Sequence, residues 1–154
     1  MESMFPPLCA DMRPRLVFGS DHAGQALKDF LVQTFAERGR DVHDCGGQEG
    51  DYPDVIPSVV EAVRGGAQGV LICGSGIGMS IGANRFIGIR AALCGDPLMV
   101  TLARTHNDAN ILALGSRFLS FEEAILCVEA FVTTPFSGEA RHLRRIAKLD
   151  GLSQ

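Results

Sequence analysis

Apolar residues in this chain fall into short continuous runs that alternate with stretches where they recur every three or four positions. Leu16-Val17-Phe18-Gly19 is such a run, and it stops at the polar cluster Ser20-Asp21-His22. Over residues 23–38, Ala23, Ala26, Leu27, Phe30, Leu31, Thr34 and Phe35 share one helical face, and Gly39 stands where a helix C-cap is expected. Residues 41–45 read as a weaker strand ending at Gly46-Gly47. Val55, Val59, Val60 and Val63 then stripe a second helix, with Asp51-Tyr52-Pro53-Asp54 at its start and Gly65-Gly66 at its end. A third strand is predicted at 69–73, a short helix over about 78–85, a fourth strand at 89–93 and a helix over 97–104. A fifth strand at 111–114 and a helix over 121–132 follow. Strands alternating with helices through short connections predict an α/β fold: a Rossmann-like three-layer αβα sandwich around a five-stranded parallel sheet. Residues 1–14 read as a loosely ordered extension, with Met12 an alternative start, and residues 15–154 as a single domain including the tail.

Gly69-Val70-Leu71-Ile72-Cys73-Gly74-Ser75-Gly76-Ile77-Gly78-Met79-Ser80 concentrates the chemistry. An apolar, β-branched strand ends in a cysteine and opens into glycines at alternate positions before a helix. Open α/β sheets bind ligands at this carboxyl edge. Glycines let backbone N–H groups approach an anion, and a helix start adds favourable partial charge. The same surroundings favour the anionic form of a cysteine sulfur. A thiol beside a cluster of donors points to chemistry on an oxyanion.

Other polar groups cluster near strand ends. Asp21-His22 follows the first strand, and Thr105-His106-Asn107-Asp108 precedes the fifth, so a common site requires the fold to bring the latter to the same edge. Taken alone, Asp21 reads equally well as a helix cap and His106 as a turn residue. After Pro135 the tail carries Arg141, Arg144, Arg145 and Lys148 on one helical face and Leu143, Ile146, Ala147 and Leu149 on the other. In a chain of net charge −4, four clustered cations are notable, and Arg141 and Arg145 are spaced to fork around one phosphate.

Composition narrows the partners. The acidic balance gives no reason to expect nucleic acid, and no apolar run approaches the roughly 18 residues of a membrane span. The first eleven residues lack the basic and apolar regions of a signal peptide. Cysteines at positions 9, 45, 73, 94 and 127 form no CxxC pair and no zinc spacing, which fits reduced thiols in the cytoplasm, with Cys94 and Cys127 as small core residues.

Four readings of the cysteine loop compete. A dinucleotide fingerprint needs its third glycine one residue later, where Met79 stands, although Asp96 follows at a plausible distance. A Cys-x5-Arg phosphatase loop needs arginine at 79 and fails. A phosphocysteine carrier fits the loop's spacing, but its cysteine belongs after the first strand. The fourth reading takes in more of the chain. Gly19-Ser20-Asp21-His22-Ala23-Gly24, Asp51-Tyr52-Pro53-Asp54, Cys73-Gly74-Ser75-Gly76-Ile77-Gly78-Met79-Ser80 and Ala83-Asn84-Arg85-Phe86-Ile87-Gly88-Ile89-Arg90-Ala91-Ala92 occur in order, followed by His106-Asn107-Asp108-Ala109-Asn110, Gly115-Ser116-Arg117 and Arg141-His142-x-x-Arg145. From about residue 15 to 149 this series resembles the type B ribose-5-phosphate isomerases, the family that also holds galactose-6-phosphate isomerase subunits.

The resemblance implies a metal-independent aldose–ketose isomerase without a cofactor. It would interconvert D-ribose 5-phosphate and D-ribulose 5-phosphate through a cis-enediolate, in the pentose phosphate pathway. It also implies a homodimer or dimer of dimers whose C-terminal helix reaches the partner subunit, each site being built from two chains. By matching motif, Cys73 is the base, and Ser75 with the amides of residues 74–78, including Gly74, Gly76 and Gly78, stabilises the enediolate. His106 opens the furanose ring with help from Asp21, and Asn107 holds substrate hydroxyls. His22, Arg141 and Arg145 bind phosphate, Arg117 is a further candidate there, and Tyr52 lines the channel. Departures from the family pattern are Glu139-Ala140 for two glycines, Leu98-Met99 for a Tyr-Ser pair and Gly82 for alanine. Position 75 is serine where some members carry a glutamate base. Another sugar phosphate as substrate (galactose 6-phosphate, allose 6-phosphate or a tetrose phosphate) and a non-catalytic sugar-phosphate-binding protein stand as alternatives.

Overall fold

The computed structural model describes residues 13–152. The expected extension lies, as far as residue 12, outside the described residues, and Met12 and Cys9 lie there with it. The elements run in the predicted alternation: β1 (Leu16–Ser20), α1 (Gln25–Glu37), β2 (Val42–Asp44), α2 (Tyr52–Arg64), β3 (Gln68–Cys73) and α3 (Ile77–Ala83). They continue with β4 (Ala91–Leu93), α4 (Pro97–Asn107), β5 (Ile111–Gly115), α5 (Phe121–Thr133) and α6 (Ala140–Asp150). All five strands pair in parallel, in the order β2-β1-β3-β5-β4.

The three central strands are buried on both faces, which is why they read as unbroken apolar runs rather than as alternation. One face is filled by Phe18, Leu27, Leu31, Phe35, Val100, Leu114, Val128 and Phe131 from the strands and α1, α4 and α5. The other holds Val17, Val55, Val59, Val63, Leu71 and Met79 from the strands, α2 and α3. Three layers result. Cys94 and Cys127 belong to the first core as expected. Burial raises both thiols, to about 12 and about 11, with Cys127 and Asp96 adding to the first and Asp96 and Glu123 to the second.

Chain order reverses direction across the sheet between β1 and β3, so their carboxyl ends flank a crevice. Lys28 is buried beside it, its Nζ meeting Asp44 Oδ1 and Gln48 Oε1 at 3.1 Å each, which fastens the loop before α2 to α1. The boundaries differ from the sequence reading at two points that matter. β4 begins at Ala91 rather than 89, because the Arg90 N–H donates to the Asn110 side chain (2.8 Å) instead of to a strand partner. α4 runs on to Asn107, so His106 sits on a helix rather than in a turn. Gly82 has a reason too: a Cβ there would lie 2.4 Å from Ile56 Cδ1, so a larger residue on α2 fills the space.

Candidate functional site

Cys73 ends β3 with its side chain buried, and the chain turns at Gly76 in the left-handed region, φ 76°. Glycine adopts that conformation without steric cost. The turn aims the Gly76 N–H at the sulfur, at 3.2 Å, and the Ile77 N–H at Ser75 Oγ, also at 3.2 Å. Ile77 and Gly78 begin α3, where amides have no carbonyl within the helix to meet. The loop is braced from β5. Ser116 N–H donates to Cys73 O (2.9 Å) and Arg117 N–H to Gly74 O (3.0 Å), while a Cβ on Gly115 would fall 2.6 Å from Ser75 O.

Small residues here make room for particular neighbours. The Arg117 guanidinium lies over Gly74, where a Cβ would come within 3.0 Å of Cζ. The Tyr52 ring covers Gly78 in the same way, at 2.6 Å. Tyr52 is held there by the start of α2, where the Asp51 N–H donates to Asp54 Oδ2 (2.9 Å). From β1, the Asp21 N–H donates to Ile72 O (3.2 Å), which sets Asp21 and His22 beside the cysteine loop. Asp21 Oδ1 accepts the Gly24 N–H (3.0 Å), so the local capping role considered for this residue is present. One edge thus gathers Cys73, Gly74, Ser75, Gly76, Gly78, Tyr52, Arg117, Asp21 and His22.

His106, Asn107, Arg141 and Arg145 are not at this edge of their own chain, contrary to the expectation that the fold brings His106 there. In a parallel βαβ unit the helix runs against the strands, so the end of α4 lies at the amino edge of the sheet. The five-residue β5 separates the two edges by about 13 Å. At that edge His106 stacks on His142 of α6, with ring centroids 4.4 Å apart and planes 16° from parallel. The Ser137 N–H donates to Thr105 O (3.2 Å), seating the start of the tail on α4. Glu139, one of the departures from the family pattern, places Oε2 3.0 Å from Arg141 Nε and 3.8 Å from His142 Nε2.

His142 had a place in the sequence motifs but no role. Burial pushes its imidazole below the ordinary 6.5, and His106, Arg141 and Arg145 push the same way against Glu139. The folded state therefore binds this proton less readily than the unfolded chain. The stabilisation is complete above the unfolded value and is lost as pH falls through it towards the lowered one. We expect His142→Gln to lose less thermal stability than the parent between about pH 7 and about pH 5. Equal losses in the two proteins would remove His142 from that balance. Arg104 and Asp108 are four residues apart, a spacing that pairs charges on a helix, but the sequence hid Arg90 at the same carboxylate, eighteen residues away.

Fold and edge together define an αβα protein with a cysteine and a cradle of backbone amides at the switch point of its sheet. Residues 16–149 match the Ribose/Galactose Isomerase family. Ribose-5-phosphate isomerase B of Escherichia coli K12 is 41% identical over 145 residues, 91% of this chain and 97% of that protein. The crystal structure of a ribose 5-phosphate isomerase from Thermotoga maritima is 45% identical with a TM-score of 0.85, covering 90% of this chain and 98% of that one. Ribose-5-phosphate isomerase B from Mycoplasma genitalium, solved with bound ribulose-5-phosphate, is 35% identical with a TM-score of 0.85, covering 90% and 95%. The chain belongs to the ribose/galactose isomerase family. Among the described residues no helix is long and apolar enough to cross a membrane.

Proposed function

We propose that this chain is a cytoplasmic, metal-independent isomerase that interconverts D-ribose 5-phosphate and D-ribulose 5-phosphate, working as a homodimer or dimer of dimers. The observation that carries the chemistry is the sulfur of Cys73 set among amides at the sheet's switch point. Moving a proton between C2 and C1 is difficult because charge accumulates on the carbonyl oxygen. Each aimed donor is worth about 3 kcal/mol in comparable oxyanion sites. The Cys73 thiolate removes the C2 proton of the open-chain aldose, the hydroxyl proton passes from O2 to O1 in the cis-enediolate, and the resulting thiol returns the first proton to C1. Ser75 and the amides of residues 74–78 hold the enediolate oxygens meanwhile.

The remaining roles need a second copy. The separation of His106 from Cys73 within one chain supports a site completed across a dimer, with α6 reaching the partner. His106 from one copy then moves the proton that opens the furanose ring, aided by the other copy's Asp21. Asn107 holds hydroxyls, while His22 and Arg117 from one copy and Arg141 and Arg145 from the other grip the phosphate. Binding at that remote end orients the reacting carbons. Purified protein in excess chelator is expected to form ribulose 5-phosphate from ribose 5-phosphate at the rate seen without chelator. Turnover of a hexose or tetrose phosphate in place of the pentose would reassign the substrate. Loss of turnover on chelation would overturn the metal-free mechanism.

A further inference from the structure

Asp108 is the one residue other than glycine with a left-handed backbone among the described residues, φ 46° and ψ 47°, and it closes α4 directly after His106 and Asn107. Two arginines hold it. Arg104 Nη1 donates to Asp108 Oδ1 (2.8 Å) and to Ala109 O (2.7 Å), and its Nε donates to Thr134 O (3.0 Å). Arg90 stands directly before β4. Its Nε is shared between Asn107 O and Asp108 O at 3.1 Å each, and Nη2 faces Asp108 Oδ2 at 3.5 Å. Nη1 of the same guanidinium reaches Asp150 Oδ1, at the far end of α6, at 3.3 Å.

Arg90 is itself fixed by the backbone. Its N–H donates to Asn110 Oδ1 (2.8 Å), and the Asn110 N–H donates back to Arg90 O (3.0 Å). The last carbonyls of a helix have no partner within it, and a planar guanidinium meets several at once where an ammonium meets one. Arg104 ties Asp108 to α4 and to the end of α5. Among the described residues Arg90 bridges the terminal carbonyls of α4 and Asp150 of α6. None of Arg90, Asp108 and Asp150 has a part in the isomerisation proposed above.

We propose that Arg90 is a positioning residue that locks the end of α4 and helix α6 into one rigid unit. His106 and Asn107 are then presented to the partner's cysteine loop together with Arg141 and Arg145. The inference rests on the two-copy site of the preceding subsection. A displacement of about 1 Å in a reacting group costs on the order of 100-fold, so a frayed helix end is felt in turnover without any change in the groups that touch substrate.

The test is complementation in hybrids, made by co-expressing two differently tagged chains. Cys73→Ala paired with His106→Asn is the control, since one of the two sites in each hybrid dimer keeps both intact halves. Arg90→Met alone is expected to lose about 10- to 100-fold in kcat and to raise KM. Asp150→Asn, which frees α6 only, is expected to raise KM with kcat little changed. Paired with Cys73→Ala, Arg90→Met recovers to the control level; paired with His106→Asn it stays low. That pattern assigns Arg90 to the His106 half, which a general loss of stability would not do. A live control with wild-type kcat in Arg90→Met, or with equal recovery in both pairings, overturns the inference alone. A silent control overturns the two-copy reading and this inference with it. Should Arg90→Met not fold, Arg90→Lys keeps the charge, loses the fork and carries the same test.

Discussion

Cys73→Ala is expected to abolish isomerisation and to leave the sugar phosphate bound. The substitution removes the sulfur at the end of β3 and little else. The Cys73 carbonyl still accepts the Ser116 N–H, Gly74 still accepts the Arg117 N–H, and the left-handed turn at Gly76 does not depend on the side chain at 73. The amides proposed to face the enediolate and the groups proposed to grip the phosphate therefore stay in place. What is lost is the proposed carrier of the proton from C2 to C1. Positioned acid–base catalysis contributes about 10²- to 10⁴-fold, so turnover is expected to fall by about that factor. Cys73→Ser sharpens the comparison: it keeps an acceptor for the Gly76 N–H and an atom of similar reach, but a hydroxyl is far too weak an acid to serve as a proton carrier near neutral pH. The measurement is ribulose 5-phosphate formation in chelator beside calorimetric binding of the same sugar phosphate. Binding within a few-fold of wild type with no turnover in either variant supports the role. Persistent turnover in Cys73→Ala would move the base elsewhere.

Much of this site is legible in the sequence because its parts lie next to one another in the chain. Residues 73–78 form one loop, and an apolar strand opening into alternate glycines has few other physical readings. The alternation of strand and helix patterns was equally plain, since β1, β3 and β5 are buried on both faces and their neighbours are amphipathic. The order of the strands was not, because short apolar runs carry no label for their neighbours. His106 shows the sharper limit. Its residue type and its place before a strand said that it was polar and near a boundary. The edge it occupies follows from the predicted parallel sheet, but the residue it meets there, His142 on α6, has no local signature. Arg90 and Asp108 lay deeper still. Their meeting brings together a residue before β4 and one after α4, and a spacing of eighteen residues has no local signature. Glu139 is one of the departures from the family pattern, a carboxylate where that pattern has glycine. Its pairing with Arg141 places that acidity on a proposed phosphate ligand.

Gly76→Ala is expected to damage stability and turnover together. A left-handed backbone costs an alanine about 1–2 kcal/mol wherever it occurs. At position 76 the added Cβ also meets Leu93 Cδ1 at 2.6 Å, Leu114 C at 2.8 Å and Leu114 O at 3.0 Å. The Leu93 methyl can swing away. The Leu114 peptide cannot, because it belongs to β5 and is paired with β3 through Ile72. The loop must move instead, which lifts the Gly76 N–H from the Cys73 sulfur and turns the amides of Ile77 and Gly78 away from the oxygen they are proposed to hold. Strain and clash together are expected to cost about 3 kcal/mol, a fall in melting temperature of about 10 °C for a chain of this size. The displaced donors are expected to lower kcat about 100-fold. Gly39 supplies the control: it has φ 82°, with nothing within 4 Å of its would-be Cβ, and it lies at the far end of α1. Gly39→Ala carries the conformational cost alone, so it should lose about 1 kcal/mol and no activity. Near-normal kcat in Gly76→Ala would show that the chemistry does not depend on the donors this turn sets in place.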